Sequence, residues 1–242
     1  MSLSFGTPVQ FSNASGVNSN PVTTTGSLTI SLNDTILVVC RGSISGLAAT
    51  TISDTLGNTY QLRDGSGHGG GGQGICLYDC VGATHAGTSQ ITATSTGNTL
   101  VAIWAVNVSG LTSTPFQTAT GAEIQGGGTA GTNNYTASSV TVSAAPAMVF
   151  CFLHDTNAEG ATTGPPVAGT GWTGLGATWQ AMGSGGSNAV ALPVYAEFGS
   201  TGSQAAVFSL TAANKGDFFW NETAAYTEMA SAPVATVAWW RA

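Results

Sequence analysis

Charge is what this chain has least of. Its cations number four in 242 residues (Arg41, Arg63, Lys215 and Arg241), and all charged types together make up 6% of the sequence, against roughly 25% in an ordinary soluble domain. Binding nucleic acid requires clustered Lys and Arg to displace counterions from phosphates. Four scattered cations and a net charge of −7 argue against such a partner. The same shortage argues against an anionic membrane surface, and no apolar run approaches the roughly 20 residues of a membrane-crossing helix. The opening MSLSFGTPVQFSNASG has neither the positive start nor the apolar centre of a secretory signal, so synthesis and retention in a cytoplasm are expected. Helical periodicity is scarce too. The best helical candidate is the short stretch Asn221–Met229 (NETAAYTEM).

What the chain does have is alternation. In Ser27–Leu32 the apolar positions are Leu28, Ile30 and Leu32, with Ser and Thr between them, the period-2 pattern of a half-buried strand. Ile36–Cys40 and Met148–Leu153 are continuous apolar runs, as in strands covered on both faces. The pattern also repeats. Ser27–Arg41 and Ser138–His154 each place an alternating segment, a polar turn and an apolar cysteine-bearing segment in order. ICLYDC at Ile75–Cys80 answers LPVYAEF at Leu192–Phe198, and LVAIWAVNV at Leu100–Val108 answers PVATVAWWR at Pro233–Arg241. These features predict an all-β fold, a two-sheet antiparallel β-sandwich of jelly-roll or Ig-like type. It is read as one domain over 1–242 with related halves at about 26–110 and 138–241, interleaved in one sandwich and joined by a linker at about 123–134.

Residues that could carry chemistry are few. Cys76 and Cys80 lie about 13 Å apart on one strand, too far for a mutual disulfide. Cys40 and Cys151 occupy equivalent apolar runs and read as small buried hydrophobes, with a bridge across sheets or between subunits in an oxidising compartment as the alternative. His68, His85 and His154 have no neighbours that would form a metal box or a triad. Asp155, Asn157 and Glu159 in DTNAEG imitate the start of a calcium loop, but Pro166 stands where a bidentate Glu belongs, so a polar turn is the better reading and no metal is assigned. Asp54 in SDTLGN has the same two readings and the same outcome. No catalytic motif and no cofactor signature is found, and enzyme activity is not expected.

The tryptophans and the aromatic run Phe218-Phe219-Trp220 remain. Trp104 and Trp239 sit in apolar segments and read as core. Trp172 and Trp179 are candidate platforms for a sugar ring, with the capping of a core as the alternative. Gly216–Ala232 has no counterpart in the first half and reads as an insertion. Its Phe218, Phe219, Trp220 and Tyr226 are expected to contact a partner or a second copy, with a small local apolar cluster as the alternative.

The run Ile52–Leu62 (ISDTLGNTYQL), followed by ICLYDCVGATHAGTSQITATS, resembles a recurrent β-sandwich module of phage virion proteins and bacterial surface proteins. That module has a D-x-x-G-N-x-Y turn, a Tyr-bearing strand and a Gly/Thr-rich hairpin. The resemblance covers about residues 26–110 and, more faintly, 138–241, and no functional residue carries over from it. It implies a scaffold for display or adhesion. The expectation is a non-enzymatic virion structural protein, capsid-decorating or tail-associated, that forms homo-oligomers and contacts other virion proteins. The alternative is a carbohydrate-binding or adhesive module outside the cell or on its surface, with a glycan partner.

Overall fold

The computed structural model describes residues 2–12, 19–43, 47, 50–68, 73–96, 100–125, 134–155, 167–176, 178–181, 188–209 and 218–230. The first half runs β1 (Ser4–Phe5), β2 (Val9–Ser12), β3 (Val22–Thr23), β4 (Leu28–Ile30), β5 (Thr35–Ser43), β6 (Thr51–Asp54), β7 (Gln61–His68), β8 (Gln73–Cys80), β9 (Gly87–Ser89), β10 (Ile91–Thr94) and β11 (Leu100–Ser109). The second runs β12 (Leu111–Gln125), β13 (Asn134–Thr136), β14 (Val140–Val142), β15 (Ala147–Asp155), β16 (Val167–Ala168), β17 (Thr173–Gly174), β18 (Thr178–Ala181), β19 (Asn188–Phe198), β20 (Gly202–Gln204), β21 (Val207–Ser209) and β22 (Phe218–Glu228). All pairings between these strands are antiparallel, and the fold is all-β in two similar halves.

The similarity extends to strand order. The first main sheet is β1-β11-β5-β8-β7, with β2 also on β11; the second is β12-β22-β15-β19-β17, with β18 also on β19. Three-stranded β3-β10-β6 matches β13-β21-β16, and two-stranded β4-β9 matches β14-β20. Among the described residues every ladder stays within its half, so there the halves do not interleave. They meet at Gly110, whose φ of +93° sends the chain from β11 of one main sheet into β12 of the other. A Cβ there would stand 2.7 Å from the Ser2 carbonyl oxygen, so both the turn and the close approach call for glycine.

Each main sheet is covered on both faces, which is why its central strands read as unbroken apolar runs. On β5, Ile36, Val38 and Cys40 join one cluster with Val22, Leu28, Ile30 and Ile91 from the small sheets. The alternate residues Leu37 and Val39 face the other way, into a second cluster with Trp104, Phe150, Phe152, Trp220 and Tyr226. The second main sheet repeats this, with Cys151 and Leu153 facing Tyr135 and Phe208, and Val149 facing Val140 and Val142. The layers are therefore small sheets, main sheet, main sheet, small sheets. The central cluster is shared by both halves.

The structure departs from two expectations. The stretch Gly216–Ala232, read as an insertion, contains a central strand: β22 pairs with β15 and β12 along Phe218–Glu228. That same strand replaces the helix expected at Asn221–Met229. Ala and Glu favour a helix weakly, and two flanking ladders outweigh that preference. The closing segment expected at Pro233–Arg241, and Trp239 with it, lies outside the described residues; β22 pairs with β15 as β11 pairs with β5.

Candidate functional site at the seam between the main sheets

The polar and aromatic side chains of most interest meet where the two main sheets face each other. Phe5 of β1 packs on Tyr195 of β19 with centroids 4.2 Å apart, and Trp104 of β11 stacks on Phe150 of β15 at 5.7 Å. The Arg63 guanidinium of β7 lies 4.1 Å from the centroid of Phe116 on β12. The two sheets thus stack with opposite strand order, like two copies related by an approximate twofold axis.

At one end of this seam is a satisfied polar latch. Arg63 Nε donates to Asp79 Oδ1 at 2.8 Å, and Tyr226 Oη of the other half donates to Asp79 Oδ2 at 3.1 Å. The Asp79 side chain is 0% exposed and that of Arg63 16%. Burial raises the Asp79 carboxyl, while the bonds and charge of Arg63 and then the Tyr226 bond pull against it. Burial, reinforced by Asp79, pushes the Tyr226 phenol well up, so it stays a donor.

Toward the other end His154, Trp220 and Glu222 carry polar atoms without a hydrogen-bond partner. The Arg41 side chain of β5 lies 5.5 Å from the Trp220 ring centroid, and His154 of β15 stacks on the same ring at 5.2 Å and 13°. Both His154 nitrogens, Trp220 Nε1 and both Glu222 carboxyl oxygens are buried without a hydrogen-bond partner. Burial, then the Asp64 charge, pushes Glu222 well above the carboxylate range. Burial, then Arg41, pushes His154 well below the usual imidazole range. Burial lowers Arg41 to about 10. Burial thus favours the uncharged forms of both Glu222 and His154, which lie on neighbouring strands on the inward face of the second main sheet.

The residues singled out from the sequence are dispersed. Phe219, Trp220 and Tyr226 are at most 4% exposed and belong to the interior rather than to a surface, because β22 is covered on both faces. The Phe218 side chain lies outside the described residues. Trp172 is half-buried, its ring edge-on to Phe198 at 6.0 Å. Trp179 stands opposite Val190 in the β18–β19 ladder, and its side chain is not described. Asp155 ends β15, while Asn157 and Glu159 lie outside the described residues. Among the described residues no group of three or more His, Cys, Asp or Glu could hold a metal ion. All four cysteines are buried thiols.

The D-x-x-G-N-x-Y turn has a full structural explanation. Asp54 Oδ1 accepts from the backbone N–H of Leu56, Gly57 and Asn58 at 2.9, 2.7 and 3.1 Å. Oδ2 accepts from Asn58 Nδ2 and Tyr60 Oη, each at 2.9 Å. Asn58 then clasps the backbone of His85 in both directions. Partial burial raises the Asp54 carboxyl, but these bonds outweigh it and leave the group below its ordinary value. Both oxygens are occupied, so the turn is a fastening between loops. Asn221, read from the sequence only as the start of a candidate helix, plays a similar part on the outer face of β22. It accepts from Ser138 N and donates to Ala122 O and Tyr135 Oη.

No family model, no curated protein and no solved structure matches this chain.

Proposed function

We propose that this chain is a non-enzymatic structural component of a virus particle, decorating a capsid or associated with a tail, and that each half is a β-sandwich module. One observation supports this most. Two topologically matching modules bury their main sheets against each other, turning the outer layers toward solvent with few charges on them. Such a block acts passively, through surface complementarity rather than turnover. Leu32, Val167 and Val207 are exposed by 59%, 60% and 37%, and they are the first candidates for contact with a neighbour. Val167 and Val207 both lie on the β13-β21-β16 sheet. Immunogold labelling of particles from the source culture, with antibody to this chain, tests the reading. Regular decoration of heads or tails is expected. Label confined to cell walls or medium contradicts it.

A second reading, a glycan-binding module, draws on Trp172. Its half-buried ring braced by Phe198 is the form a sugar platform takes. Binding on a glycan array that is lost in Trp172→Ala supports this reading; a blank array contradicts it.

A further inference from the structure

Cys40 and Cys76 are separated in the sequence by β6 and β7, yet they are direct partners across the β5–β8 ladder. Directly opposed residues in an antiparallel pair have Cα atoms about 4.5–5.5 Å apart, inside the roughly 4.4–6.8 Å that a disulfide spans. Both side chains belong to the cluster on the outer face of the first main sheet, and both are 0% exposed. The other two cysteines have no such partner. Cys80 stands opposite Ile36, and Cys151 stands between Val194 and Thr223.

We propose that Cys40 and Cys76 are a disulfide-forming pair, bridged by exchange with a small-molecule disulfide when the chain folds in an oxidising medium. The step balances as two thiol–disulfide exchanges. One cysteine thiolate attacks the oxidant's sulfur to give a mixed disulfide and one released thiol. The second cysteine thiolate then displaces the other oxidant thiol and closes the bridge. Two protons leave with the released thiols, and the oxidant is reduced by two electrons. The apolar surroundings keep the folded thiols protonated and shut out the oxidant. Exchange therefore belongs to folding or to an opening of β8. Once closed, the bridge is shielded from reductants by the same cluster. The pair records the medium in which the chain folded: dithiol in a reducing cytoplasm, clamp in an oxidising one.

The wild-type protein suffices for the test. It is unfolded, refolded in oxidised glutathione, cleared of glutathione, and its thiols are titrated in denaturant. The titre falls from four to two, with Cys80 and Cys151 left reactive. A non-reducing peptide map links the Cys40 peptide to the Cys76 peptide. Closing that loop lowers the unfolding constant on the order of 10²–10³-fold relative to reduced protein, and the Cys80→Ser/Cys151→Ser variant gives the same bridge. A titre that stays at four overturns the proposal, as do glutathione adducts without a bridge or a link between any other pair.

Discussion

Removing Arg63 is the sharpest perturbation of the seam. Its guanidinium is the cation bonded to Asp79, a carboxylate with no exposed surface. Arg63→Ala leaves that carboxylate with only the Tyr226 hydroxyl. Stripping one partner from a buried ion pair costs about 3–5 kcal/mol. Loss of the contact with Phe116 adds about 1 kcal/mol. For a chain of this size each kcal/mol moves the melting midpoint by about 2 °C or somewhat more, so a drop of roughly 8 °C or greater is expected. Replacing the whole latch at once, Arg63→Met with Asp79→Leu and Tyr226→Phe, leaves no stranded charge and should restore most of the loss. Urea melts followed by tryptophan fluorescence measure both variants. If Arg63→Ala loses less than about 1 kcal/mol, Asp79 is not desolvated and the seam is not closed at that end.

Burial of Glu222 and His154 makes stability depend on pH in two opposite ways. Burial favours the protonated form of Glu222 in the fold, so its contribution is full below its unfolded value of 4.5 and is lost as pH rises toward the raised folded value. Glu222→Gln should flatten the alkaline side of the stability profile and be no less stable at neutral pH; an unchanged slope in urea melts would count against this. Burial favours the neutral form of His154, so its contribution is full above 6.5 and is lost as pH falls through that value toward the lowered one. His154→Phe should flatten the acid side; a profile as steep as wild type contradicts it. Asp54→Ala removes an acceptor of five hydrogen bonds and should cost about 2–3 kcal/mol by thermal melt; a loss under 0.5 kcal/mol would mean the turn holds without it. Val167→Glu and Val207→Glu should leave the melting midpoint in place and reduce the assembly size seen by mass photometry. A single species of unchanged size in wild type and variants removes those contacts.

Much of the first half could be read from its residues. The alternation of Leu28 and Ile30, the unbroken Ile36–Cys40, and the Asp54 turn each depend on local pattern, and each appears where pattern places it. The second half was harder, for a physical reason. Phe218–Glu228 carries Asn, Glu, Thr and Ala where β11 carries Val and Ile, because its outward polar groups are answered by Tyr135, Ser138 and Cys151 rather than by apolar packing. That exchange hid the strand and made its aromatics look like an insertion. The latch was invisible for another reason: Asp79 and Tyr226 are 147 residues apart and belong to different modules. The Cys40–Cys76 pairing likewise depends on the register of the β5–β8 ladder, which no spacing of cysteines reveals.

The account rests on one shared interior between the two main sheets, and hydrogen exchange tests it most directly. Trp104→Ala removes a first-half ring that contacts Phe150 and Phe152 of the second half. Amides of β15 and β22 should then lose protection together with those of β5 and β11. Loss confined to the first half, with β15 and β22 exchanging as in wild type, would show two separate cores and contradict the account.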